Sequence, residues 1–159
     1  MRDYQADNLL SVLVFDMDGT LADFYEVPNW LEKIRAFDAS PYRDALPIYD
    51  MAFMSKVVLA LKEAGWRIVV TTALSKVTTP EYDEQVTAAK LEWLAKYEFP
   101  YDEFHAVAYT DKKEDFTKAL GGRQILVDDN PKVREDWTIG DTIDASQSIL
   151  GELQALLIA

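Results

Sequence analysis

One short segment constrains this chain more than any other. Asp16-Met17-Asp18-Gly19-Thr20-Leu21 stands directly behind Leu9-Leu10-Ser11-Val12-Leu13-Val14-Phe15, a run almost continuous in apolar side chains. A central parallel strand covered on both faces requires such a run. The acidic segment at its end places two carboxylates on one loop, and Gly19 lets the backbone come close to a ligand. An Asp-x-Asp-Gly-Thr match arises by chance on the order of 10⁻³ times in a chain of this length. An acidic turn merely capped by Thr20 is therefore the weaker explanation.

The rest of the chain alternates strands and helices. Met51, Met54, Val58 and Leu61 recur at helical spacing with Gly65 behind them, which predicts an amphipathic helix from Asp50 to Ala64. Trp66-Arg67-Ile68-Val69-Val70 supplies a second buried strand that ends at Thr71. Thr79-Pro80-Glu81 opens a helix whose apolar face continues through Val86, Ala89, Trp93 and Tyr97 until Pro100 ends it. Phe104 to Ala108 reads as a third strand, Lys113 to Leu120 as a short helix, and Gly121-Gly122 as the break before a fourth strand, Gln124 to Val127. Thr142-Ile143-Asp144 reads as an edge strand, and Ser148 as the cap of a last helix packed through Ile149, Leu153 and Leu156.

This alternation implies an α/β, Rossmann-like fold: a mainly parallel sheet with helices on both faces. Ligands of such sheets bind beyond the carboxyl ends of the strands. Asp16, Thr71, the region around Lys113, and Asp128-Asp129 are thereby expected at one edge. Residues 24–47 differ from the rest, with aromatics, prolines and one weak helical stretch around Trp30 to Phe37. They read as a small cap inserted after the first strand of a single domain spanning residues 1–159.

Composition narrows the chemistry. With 28 Asp plus Glu against 16 Lys plus Arg and a formal net charge of -12, the average surface repels polyanions, so long nucleic acid is not an expected partner. A small phosphomonoester or a nucleic-acid end carries far less charge. Cysteine is absent and His105 stands alone, which excludes disulfides, cysteine catalysis and thiolate or His-cluster metal sites. His105 reads as structural, and any metal must be held by oxygen. The run ending at Phe15 is too short to span a bilayer and lacks a basic n-region, so the expectation is a soluble, cytoplasmic protein without membrane partners.

The strand followed by Asp16-Met17-Asp18-Gly19-Thr20 resembles the first motif of the haloacid dehalogenase superfamily, and the resemblance extends along the chain. It implies that Asp16 attacks phosphorus to form an aspartyl-phosphate, and that Asp18 acts first as acid and then as base. Thr71 at the end of the second strand resembles the second motif and would hold phosphoryl oxygens, with Thr72 as the alternative. The third motif is a lysine. Lys112 and Lys113 both compete for it, and the Asp-x-x-Lys pattern favours Lys113. Asp128-Asp129 after Gln124-Ile125-Leu126-Val127 resembles the fourth motif. Adjacent acids at the end of a buried strand repel each other without a cation, and Mg²⁺, which takes oxygen ligands and few of them from protein, suits the set. The resemblance implies Asp16, Asp129 and the Asp18 carbonyl as direct ligands and Asp128 as an outer partner.

The segment Asp16 to Phe24 resembles the opening of deoxyribonucleotidases. Gly65 to Val70, Lys113-Glu114-Asp115 and Asp128-Asp129 resemble the phosphatase half of polynucleotide end-repair enzymes. Both resemblances imply a nucleotide or nucleic-acid end phosphate as substrate, and Tyr25, Trp30, Tyr42 and Arg43 of the cap are candidates to contact it. A sugar-phosphate phosphatase of the same fold is the alternative enzyme. A phosphate-accepting signalling module is the alternative from another class. In such receivers the acidic pair comes early and the acceptor in mid-chain, whereas here Asp16 comes first and the pair last.

Overall fold

The computed structural model describes residues 11–158. The first strand, expected from Leu9, is described from Ser11; Leu9 and Leu10 lie outside the described residues. In chain order the elements are β1 (Ser11–Phe15), a 3₁₀ turn (Phe24–Glu26), α1 (Trp30–Arg35), α2 (Ser40–Asp44), α3 (Met51–Glu63), β2 (Trp66–Ala73), α4 (Pro80–Lys96) and β3 (Glu103–Val107). Two 3₁₀ turns (Lys113–Phe116 and Lys118–Leu120), β4 (Arg123–Asp128), α5 (Pro131–Asp136), β5 (Gly140–Asp144) and α6 (Leu150–Leu156) complete it.

The five strands form one parallel sheet in the order β3-β2-β1-β4-β5. β1 lies in the middle, with Phe15 opposite both Val70 and Val127. Alternate residues of the central strands serve opposite faces, as the period of a strand demands. Leu13, Phe15, Ile68, Val70, Ile125 and Val127 join one core with Met54, Val58 and Leu61 of α3 and Leu153 of α6. Val12, Val14, Val69 and Leu126 join the other, beneath Trp137 and Val133 of the α5 region. Each such fully buried side chain contributes about 1.5–3 kcal/mol relative to exposure.

The local signals behave as their chemistry requires. Asp50 caps α3 by accepting from the amides of Ala52 and Phe53, and Thr79 caps α4 by accepting from that of Tyr82, with Pro80 at the first helical position. Several elements differ from the sequence expectation. β2 runs on through Thr71 and Thr72 to Ala73, because β3 pairs alongside it as far as Ala73 opposite Val107. The segment Lys113 to Leu120 forms two 3₁₀ turns instead of one helix. α5 appears where no helix was expected, capped by Asn130, whose side chain accepts from Lys132 and Val133. α6 starts at Leu150 with Ile149 at its cap position and no side-chain cap bond, so Ser148 does not cap it.

Residues 24–47 divide between two clusters, with Ala45 and Val27 on the main core and the aromatics on α4. Phe24 and Tyr42 join Tyr82, Val86 and Ala89 of α4, with Trp30 and Ile34 against them. No helix among the described residues is long and apolar enough to cross a membrane.

Candidate active site

The carboxyl ends of β1 and β4 converge. The amide of Asp16 donates to the Val127 carbonyl at 3.0 Å, so the loop after β1 begins against the end of β4. The loop then closes tightly, with the amides of Thr20, Leu21 and Ala22 all donating to the Met17 carbonyl. Gly19 turns at φ +80°, in the left-handed region, and a Cβ there would overlap the carboxylate of Asp129. Across the cleft, Asp128 accepts from the Asn130 amide at 2.9 Å, and Arg134 donates to the Asp128 carbonyl at 2.9 Å. These bonds fix the acidic pair as it leaves the strand.

The result is a cluster of charges. Carboxylate oxygens of Asp16, Asp128 and Asp129 all lie within 4.8 Å of one another, a grouping able to hold a metal ion. The Lys113 ammonium stands against it, 2.9 Å from Asp16 Oδ1 and 2.7 Å from Asp128 Oδ2. Of the two competing lysines, Lys113 is buried against these acids while Lys112 is exposed. Thr20 Oγ1 is within reach of both Asp16 Oδ2 at 3.1 Å and Asp129 Oδ1 at 3.3 Å.

The electrostatics follow from crowding like charges in a buried place. Burial and the neighbouring Asp16 push Asp129 up to about 7. Burial and Asp16 also raise Asp128, against the pull of Lys113. Burial alone would lower Lys113, but the charges of Asp16 and Asp128 outweigh it and raise the group. The Asp18 carboxyl is held above its ordinary range chiefly by burial, with Lys90 acting in the opposite direction.

Asp18 turns toward a different partner from Asp16. Its Oδ2 accepts from Lys90 at 3.1 Å, and its carboxylate is not part of the three-acid cluster. A cavity of about 470 Å³ opens over the cluster, lined among others by Asp16, Asp18, Tyr25, Lys113, Asp129 and Trp137. Thr71 and Thr72 do not line it. Both are fully buried, because the strand that carries them continues two residues beyond Thr71. The Thr72 hydroxyl accepts from Lys90, and Thr71 Oγ1 has no hydrogen-bond partner among the described residues. Of β2, Ala73 is the residue at the cavity wall, with the two threonines buried behind it.

Among the four aromatic and basic candidates of the cap, only Tyr25 reaches the cavity. It is 52% exposed and braced edge-on by Phe24 and Trp30. Trp30 stands behind it. Tyr42 is buried against α4, stacked on Phe24, with its hydroxyl 2.7 Å from Ser75 Oγ. Arg43 is exposed and pairs with the adjacent Asp44. Trp30, Tyr42 and Arg43 are not among the residues lining this cavity. His105 is half-buried on β3 beside Glu103, 3.3 Å away.

Two side chains bonded to these acids escaped the sequence reading. Thr20 was noted only as part of its motif. Lys90 lies four residues after Val86 and three before Trp93, on the apolar face of α4, and a cation in such a stripe is the signal that could have found it.

No protein-family model matches the chain, and no curated protein does either. Among solved structures, it is similar to a chain of the Pnkp1/Rnl/Hen1 RNA repair complex, with a TM-score of 0.59 and 18% identity. That similarity covers 91% of this chain and 44% of the other, so this chain spans less than half of its length. The D,D-heptose 1,7-bisphosphate phosphatase from Burkholderia thailandensis aligns with a TM-score of 0.48 at 14% identity, over 79% of this chain and 70% of the phosphatase. At these identities the likeness to the repair-complex chain is one of fold.

Proposed function

We propose that this chain is a Mg²⁺-dependent phosphomonoester hydrolase of the haloacid dehalogenase type, with Asp16 as nucleophile. The observation that carries the reading is the joint placement of Asp16, Asp128 and Asp129 within 4.8 Å with the Lys113 ammonium bridging two of them. Three crowded carboxylates, one of them pushed up to about 7, call for a cation, and all the donors are hard oxygens. Asp16, Asp129 and the Asp18 carbonyl would hold the ion, with Asp128 behind them. When bound, it offsets the repulsion between the phosphate and Asp16.

The residues of the chain divide the remaining work. Lys113 and Thr20 each hold one oxygen of Asp16, which fixes the nucleophile's orientation. An Asp16 oxygen bonds to phosphorus as the bond to the ester oxygen breaks. The ester oxygen keeps the electron pair and takes a proton from Asp18. Asp18 then takes a proton from water, the water oxygen bonds to phosphorus, and the bond to Asp16 breaks to release inorganic phosphate. An Asp18 carboxyl raised above its ordinary range suits a group that must begin protonated.

The substrate is a nucleotide or a nucleic-acid end. Tyr25 offers an aromatic face at the mouth of the cavity, the net charge of -12 disfavours long polyanions, and a chain of an RNA repair complex shares the fold. The protein works as a soluble cytoplasmic enzyme. Phosphate release should be screened across nucleoside monophosphates, 3′-phosphorylated oligonucleotides and sugar phosphates, with Mg²⁺ and with EDTA. Release that needs Mg²⁺ and favours the nucleotides is expected. Preference for sugar phosphates would overturn the substrate class, and release unaffected by EDTA would overturn the metal assignment.

A further inference from the structure

Lys90 is fully buried, and each of its ammonium protons has an acceptor. Its Nζ donates to the Thr72 hydroxyl, to the Ala73 carbonyl at 2.8 Å and to Asp18 Oδ2 at 3.1 Å. A lysine ammonium has three donors, so the set is complete. The ring of Tyr42 lies over it, 4.9 Å from Nζ to the ring centroid, and closes it off from the cap side. Burying an ammonium is expensive unless every donor is met by a good acceptor, and this chain does so far from any apolar need for a lysine.

Two of the three acceptors belong to β2, where Thr72 and Ala73 pair with Ala106 and Val107 of β3, and are held by the sheet. They aim the third donor at the loop carrying Asp18. Lys113 makes its bonds to Asp16 and Asp128 and none to that carboxylate. The two buried lysines therefore divide the acids between them, one on the nucleophile and one on its neighbour two residues on.

We propose that Lys90 is the positioning residue for proton transfer to the leaving group: it anchors Asp18 through Oδ2 and leaves Oδ1 as the oxygen presented to the ester. The inference rests on the reading of Asp18 as the proton donor. Tyr42, as the cover of Lys90, then links the packing of the cap to the chemistry instead of to substrate recognition.

The discriminating experiment compares two esters. An aryl phosphate with a strongly acidic phenol, such as 2,4-dinitrophenyl phosphate, departs without a proton, whereas an alkyl phosphate such as a nucleoside monophosphate needs one. The quantity to compare is kcat/KM, which covers transfer to Asp16 and not the later hydrolysis. Lys90→Met is expected to lower kcat/KM on the alkyl ester by about 10²-fold or more and on the aryl ester by at least about tenfold less. Lys90→Arg should recover part of the loss on the alkyl ester. Where Lys90→Met fails to fold, Thr72→Val, which removes one of the fixed acceptors, should show the same ester dependence with a smaller loss. Equal losses on both esters, or none on either, would overturn the positioning role while the phosphatase reading stands. Wild-type protein that releases no phosphate from either ester would overturn that reading and this inference together.

Discussion

Gly19 packs so closely on Asp129 that a Cβ on the first would overlap the carboxylate of the second. The loop after β1 and the loop after β4 thus meet through a position where only hydrogen fits. Gly19→Ala must either push Asp129 away or open the loop, and its φ of +80° adds backbone strain. The expected result is a stability loss of about 1 kcal/mol or more and loss of Mg²⁺ binding by calorimetry, with turnover falling in step. Unchanged Mg²⁺ affinity would show that Asp129 does not hold the ion.

The raised Asp129 carboxyl sets a pH dependence. The ion needs the ionised form, and Asp129 is pushed up to about 7 by burial and by Asp16, so protons compete with metal below that value. The Mg²⁺ dissociation constant should rise by up to about tenfold for each pH unit below about 7. Because the fold disfavours the charged form, metal-free protein gains stability as pH falls from about 7 toward the ordinary carboxylate range near 4. Added Mg²⁺ should accordingly raise the melting temperature more at about pH 8 than at about pH 5.5. An equal rise at both would contradict the crowding argument.

Lys113 neutralises two buried acids, and its removal leaves Asp128, whose side chain is 1% exposed, without its counter-charge. Lys113→Met should cost about 3–5 kcal/mol in chemical denaturation and abolish phosphate release. Lys112→Met, at an exposed position, should keep Mg²⁺-dependent release. Loss of activity on the second substitution and not the first would reverse the assignment.

Tyr25 tests the substrate class apart from the chemistry. Tyr25→Leu removes the aromatic face at the cavity mouth, so KM for a nucleoside monophosphate should rise by about three- to tenfold, as loss of about 0.5–1.5 kcal/mol of ring contact requires. kcat should hold, and KM for an aliphatic phosphate should stay unchanged. A fall in kcat on both would place Tyr25 in the chemistry instead.

How much of this was readable beforehand depends on the range of the forces involved. β1 and β4 are legible because both are buried on two faces and lead directly into Asp residues, and the same runs located Asp16, Asp18, Asp128 and Asp129. The end of β2 was misplaced because Thr71-Thr72-Ala73 is extended by pairing with β3, a tertiary influence invisible in the residues themselves. α5 was missed because Pro131 to Asp136 holds Val133 as its one long apolar side chain and shows no periodicity, although Asn130-Pro131 is a sound helix start. Lys90 could be noticed as a cation in an apolar stripe, but Asp18, 72 residues away, could not be named as its partner. The burial of Tyr42 against α4 and the place of Tyr25 at the cavity likewise required the packing.

The central claim is that Asp16 bonds covalently to phosphorus. Wild-type protein mixed with Mg²⁺ and an aryl phosphate, quenched in acid within the first turnover and digested, should carry one phosphoryl group on the peptide containing Asp16, and Asp16→Asn should carry none and turn over no substrate. A phosphoryl group on any other residue, or undiminished turnover by Asp16→Asn, would contradict the account.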